Sequence, residues 1–92
     1  MGQINPPVDL FEFPCDFPFK VFTDAEDRDE FCQQAITAVS GVVPVVRENL
    51  QLRPSSKGTY VCVTMTVAVS SREQVEKIYT LLRELQSVRY IL

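Results

Sequence analysis

The sequence predicts an α+β fold: a four-stranded antiparallel sheet with two helices packed on one of its faces. Three observations carry that expectation. Val61, Val63, Met65, Val67 and Val69 occupy every second position, which is the period of a strand with one buried face. Two other stretches carry apolar residues at helical spacing, and each follows a residue suited to cap a helix. The order along the chain is strand, helix, strand, strand, helix, strand, which two right-handed crossovers close into one sheet.

The elements follow in order. Residues 1–9 hold the adjacent prolines Pro6 and Pro7 and no clear period, so they are expected as a loose arm. Leu10, Phe11 and Phe13 are too apolar to dangle and are expected over an edge of the core, or as a surface for a partner. The first strand covers 17–23, with Phe17, Phe19 and Val21 alternating with Pro18, Lys20 and Phe22. Pro18 fits only near a strand start or a bulge. Phe22 breaks the alternation and leaves room for cover on both faces.

An acidic entry leads into the first helix. Asp27 and Glu30 have capping-box spacing, and Asp24 is an equal candidate for the cap. Asp27, Asp29 and Glu30 suit the positive end of the helix dipole. Phe31, Ala35, Ala38 and Val39 give the apolar stripe, and Gly41 ends it. The same acids could hold a metal, but they lack hydroxyl or carbonyl ligands at loop spacing, so they read as a solvated helix start and no metal is expected.

The second strand is expected over 45–53, where Val46, Leu50 and Leu52 oppose Arg47, Asn49, Gln51 and Arg53. That polar row suits an edge strand. Glu48 falls on the apolar side of the pattern, which places it at an open strand end or beside a cation. A turn over 54–58 feeds the third strand, 59–69. Ser71 and Gln74 form a capping box for the second helix, whose stripe is Val75, Ile78, Tyr79, Leu82 and Leu85. Glu73 and Lys77 are spaced for an ion pair on that helix. A short strand, 88–92, ends the chain. This is the βαββαβ order of a ferredoxin-like sandwich, with the first and third strands central. It makes a single domain over 10–92 behind the arm 1–9.

Composition narrows the function. The net charge is −3, with eight acids against two bases in 1–30 and four acids against seven bases in 31–92. Nucleic-acid binding through a basic body is therefore disfavoured, although Arg47, Arg53, Lys57, Arg72 and Arg89 could form a local basic surface. Histidine is absent, which removes the commonest general base and metal ligand near neutral pH. Cys15, Cys32 and Cys62 are odd in number and form no paired motif, so they read as small hydrophobes in a reducing compartment. No apolar run approaches the roughly 20 residues of a membrane span, and no signal sequence is evident. A soluble cytoplasmic protein without a cofactor is the expectation.

Candidate site residues gather at one turn. Arg53, Ser55, Ser56, Lys57, Gly58 and Tyr60 combine two cations, two hydroxyls and a glycine free to take positive φ. Such a turn can bind an anionic ligand or a partner. The plainer reading is hairpin chemistry that needs no ligand, since the phosphate-loop pattern is missing. The even residues of the third strand, Tyr60, Cys62, Thr64, Thr66 and Ala68, form a second candidate: a weakly polar sheet face, either solvated or used for self-association.

The runs Leu10-Phe11-Glu12-Phe13-Pro14, Phe17-Pro18-Phe19-Lys20-Val21, Pro54-Ser55-Ser56-Lys57-Gly58-x-Tyr60, Gln74-Val75-Glu76-x-x-Tyr79 and Val88-Arg89-x-x-Leu92 resemble the YbeD-like family of small bacterial proteins. The resemblance implies a ferredoxin-like fold similar to ACT-type regulatory domains. It also implies a link to lipoate metabolism, because some relatives carry that label, and it brings no catalytic residues. The Pro-containing arm and the acidic helix entry depart from the family.

The expected role is a non-enzymatic regulatory or interaction module of ACT-like shape, possible as a homodimer, that meets a protein partner or a small anionic ligand. A nucleic-acid-binding sheet is the alternative, limited by Tyr60 as the one aromatic credited to that face. An acylphosphatase-like enzyme ranks last, because residues 23–27 would repel phosphate where that chemistry needs an arginine.

Overall fold

A computed structural model describes residues 12–55 and 58–92. The expected arm over 1–9, Leu10 and Phe11, and the turn residues Ser56 and Lys57 lie outside the described residues. The elements are β1 (Cys15–Thr23), α1 (Arg28–Ser40), a 3-10 turn (Arg47–Asn49), β2 (Leu50–Pro54), β3 (Val61–Val69), α2 (Arg72–Arg83) and β4 (Val88–Ile91). The four strands form one antiparallel sheet in the order β2-β3-β1-β4. The first and third strands are central, as expected, and the fold is the ferredoxin-like α+β sandwich.

Alternation sets which side of each strand is buried. Phe17, Phe19 and Val21 of β1 and Val61, Val63, Met65, Val67 and Val69 of β3 are each at most 3% exposed. They meet Phe31, Ala35 and Val39 of α1 and Val75, Ile78, Tyr79 and Leu82 of α2 in one core. Phe19 and Tyr79 pack edge to face with centroids 4.9 Å apart, a favoured aromatic geometry. Both helices therefore cover the same face, and the even-numbered residues of β1 and β3 are left on the other.

Helix starts follow local chemistry. Asp27, rather than Asp24, caps α1: its Oδ1 accepts from the Glu30 N–H at 3.0 Å. Ser71 caps α2 by accepting from the Gln74 N–H at 3.3 Å. The return bond of that box is displaced by one residue, with Gln74 Oε1 accepting from Ser70 N–H. On α2 Arg72 pairs with Glu76 at 3.1 Å, one position before the expected Glu73–Lys77. Gly41 ends α1 in a right-handed conformation (φ −70°), so its freedom at positive φ is not used there.

The expected strand over 45–53 begins only at Leu50. Asn49 folds back so that its Oδ1 accepts from the Val46 N–H at 2.9 Å, and Arg47 Nη1 donates to Leu50 O at 3.1 Å. These local bonds turn 47–49 into a 3-10 helix, since a side-chain acceptor competes with the ladder for backbone donors. Glu48 is exposed in that turn, which removes its conflict with the apolar side of a strand.

Pro18 sits inside β1, a central strand, opposite Thr66. The Lys20 N–H donates to Leu92 O at 3.5 Å, so it points toward β4. Two residues back, the Pro18 nitrogen points the same way. The pairing with β4 stops at Lys20 and Leu92, so no described strand stands opposite the Pro18 nitrogen and no ladder bond to one is lost.

Candidate functional site

The 54–60 turn divides into parts with different roles. The Ser55 N–H donates to Tyr60 O at 2.8 Å, the Gly58 N–H donates to Ser55 O at 3.0 Å, and the Tyr60 N–H donates to Ser55 Oγ at 3.3 Å. Gly58 has φ +73°, where a side chain would be strained. Ser55 and Gly58 are thus committed to closing the hairpin. Ser56 and Lys57, the other polar residues expected at the tip, are outside the described residues. Arg53 and Tyr60 belong instead to the surface that starts where the turn ends.

That surface is the open face of the sheet. Register lines up Arg53, Cys62, Phe22 and Tyr90 across all four strands, from β2 to β4. A parallel row holds Gln51, Thr64 and Lys20. Phe22 and Tyr90 stack with centroids 4.4 Å apart and planes 15° from parallel. Tyr60 meets Tyr90 edge-on at 6.4 Å and 77°. The three rings make an aromatic ridge, and Tyr90 remains 46% exposed. Tyr60 is the one aromatic credited to this face from the sequence. Phe22 and Tyr90 join it through strand pairing, which sets Tyr90 opposite Phe22 and Phe22 opposite Cys62.

Beside the ridge, Lys20, Gln51, Leu52, Arg53, Cys62 and Thr64 line a concavity of about 340 Å³. Among the described residues no carboxylate lines it. Asp24, at the far side of the ridge, is held by Arg89, whose Nε donates to Asp24 Oδ2 at 2.6 Å. That bond keeps the Arg89 guanidinium protonated more firmly than usual. The pair is surface-exposed, so its main effect is to fix position and cancel charge. Thr23 anchors the same end, donating through Oγ1 to Ser87 O at 2.8 Å and accepting from the Ala25 N–H at 3.1 Å.

Ionisable groups in the core stay neutral. Burial pushes the Tyr79 hydroxyl up to about 12, against a weaker opposite pull from Arg83. Burial likewise raises the Cys32 thiol. Among the described residues no cluster of three or more metal-ligating side chains occurs, and no helix is long and apolar enough to cross a membrane.

Residues 9–92 match the profile of a family described as a protein of unknown function, DUF493. Curated relatives bear the name UPF0250 protein. One from Shewanella piezotolerans is 44% identical, covering 91% of this chain and 92% of the relative. Others from Paraburkholderia phytofirmans and a Janthinobacterium species are 39% and 38% identical over the whole of both chains. Among solved structures, the solution structure of protein HP0495 from H. pylori aligns with a TM-score of 0.64 at 16% identity, covering 98% of each chain. It supports the fold.

Proposed function

Because the chain belongs to the DUF493 family of proteins of unknown function, we propose its role from its surface: a non-enzymatic regulatory or interaction module that receives its partner or ligand on the open face of the sheet. One observation carries the reading. The two faces of the sheet are unlike: helices bury one, while the other presents the Phe22–Tyr90–Tyr60 ridge beside Lys20 and Arg53. Aromatic and arginine side chains on an exposed surface are the groups that contribute most at interfaces.

The edges of the sheet are weaker candidates. β2 has five residues and ends in Pro54, and short edges with proline resist pairing with another strand. A homodimer formed through the open face is one form of the same proposal. Absence of histidine from the chain, and of an acid among the described residues lining the concavity, favours binding over acid–base catalysis. The resemblance to lipoate-labelled relatives makes enzymes of that pathway the first partners to test, in a cytoplasmic setting.

Three aromatics and two cations on a βαββαβ sheet also suit a reading as an RNA-binding face, where bases stack on exposed rings. Here Phe22 and Tyr90 turn one ring face each toward the other, which leaves fewer faces for a base. The acidic stretch 24–30 begins directly after β1. Both features favour a protein or small-molecule partner.

The test is affinity capture from host-cell extract with wild type, Tyr90→Ser, Arg53→Ala and, on the helix side, Gln34→Ala. Recovered proteins are rebound as purified components. Loss with Tyr90→Ser and Arg53→Ala, but not with Gln34→Ala, is expected. Loss confined to Gln34→Ala would move the binding surface to the helices.

A further inference from the structure

The geometry points to an oxyanion site in the Lys20–Arg53 concavity, made for the carboxylate or phosphate of a small molecule. The inference rests on the open-face reading and names the ligand chemistry within it. Lys20 and Arg53 are 33 positions apart in the chain, yet β3 brings them together: Lys20 opposes Thr64, and Arg53 opposes the neighbouring Cys62 of the same face. Two strand spacings and a two-residue offset put their Cα atoms roughly 12 Å apart. Both side chains line the same concavity, and both are long enough to reach one oxyanion held above Cys62 and Thr64.

The surroundings fit such a group. Both cations are exposed, and neither makes an ion pair with a described carboxylate. Thr64 offers a hydroxyl donor and Gln51 an amide donor on the same lining. Asp16, also on this face of β1, lies four residues from Lys20, about 13 Å along the strand. Asp24 is taken by Arg89. No described side-chain carboxylate therefore stands over Cys62 and Thr64, in a chain whose net charge is negative. A volume of about 340 Å³ lies at the small end of ligand sites, near 300 Å³, which selects a compact ligand over a folded partner. The guanidinium of Arg53 supplies a fork for two oxygens, and the ammonium of Lys20 a point charge opposite it.

The test is an amide-resolved NMR titration of the full chain with inorganic phosphate, with citrate and with a hexa-aspartate peptide, at constant ionic strength. Saturable shifts at Gln51, Arg53, Cys62 and Thr64 with phosphate or citrate are expected. Affinity should fall roughly tenfold or more in Lys20→Gln/Arg53→Gln, the loss of charge-assisted hydrogen bonds, and should also weaken in Thr64→Val. Spectra elsewhere should stay unchanged, because these side chains are outside the core. Shifts that do not saturate, that centre elsewhere, or that persist in the double variant would overturn the site. Tighter binding of hexa-aspartate than of both small anions, with shifts spreading over Phe22 and Tyr90, would overturn the small-molecule assignment in favour of an acidic protein segment. If the anions fail while Tyr90→Ser still abolishes capture, the oxyanion site falls and the open-face reading stands. If both fail, both fall.

Discussion

The ring of Phe22 lies flat on the ring of Tyr90, 4.4 Å between centroids. The contact joins β1 to the edge strand β4 on the face that no helix covers. It therefore does two things: it holds β4 in register beside a bulge, and it raises an apolar ridge next to the Lys20–Arg53 concavity.

Tyr90→Ser should cost stability modestly, about 0.5–1.5 kcal/mol for the ring pair plus a share of its half-exposed area. The domain should stay folded, since the core lies on the other side of the sheet. Urea denaturation measures this. A loss approaching that of a core aromatic, about 3–5 kcal/mol, would mean that β4 depends on the pair far more than its exposure indicates.

Val63→Asp should abolish folding, because Val63 is 1% exposed and a buried lone carboxylate is strongly unfavourable. Thr64→Asp, one residue on, should fold and place its carboxylate beside Lys20. Circular dichroism and thermal melts distinguish the two. Equal behaviour would contradict the register, since a shift of one residue exchanges the faces.

Asn49→Ala should lower stability by about 0.5–1.5 kcal/mol, the worth of one side-chain hydrogen bond, here to the Val46 N–H. Denaturant midpoints measure it. No change would show that the 3-10 turn is held by other contacts, such as that of Arg47 to Leu50 O.

Tyr79 sets an alkaline limit. Its hydroxyl titrates near 12 in the folded chain, raised by burial from 10.0. The folded state holds the proton more tightly, so the stabilisation is complete below about pH 10 and is lost as pH rises toward 12. The loss amounts to about 2–3 kcal/mol for a shift of that size. Tyr79→Phe should flatten this part of the stability profile relative to wild type. Parallel profiles for the two proteins from pH 9 to 12 would contradict the assignment.

The legible parts of the fold were those where one physical constraint dominates. Val61 to Val69 alternate because one face is buried and the other is not, so their register could be read directly. Asp27 and Ser71 announced helix starts because capping is local. The segment 45–49 was misread because Val46, Leu50 and Leu52 follow strand spacing, with Glu48 the one residue against it, while the deciding bond, from Val46 N–H to Asn49 Oδ1, is a matter of side-chain geometry. Of the residues on the candidate surface, Arg53 and Tyr60 were singled out through the turn. Lys20, Phe22 and Tyr90 were not, because only strand pairing places them beside Cys62. Ser55 and Gly58 proved to be occupied by the hairpin itself.

The proposed function makes the open face the working surface. Photo-crosslinking in host cells probes this without naming a partner beforehand, with p-benzoylphenylalanine placed at position 66 on the open face or at position 34 on α1. Both native residues, Thr66 and Gln34, are exposed, so neither substitution should disturb the core. Discrete adducts from position 66, absent from position 34 and lost when Tyr90→Ser is added, are the predicted result. Adducts from position 34 with none from position 66 would contradict the account and assign function to the helical side.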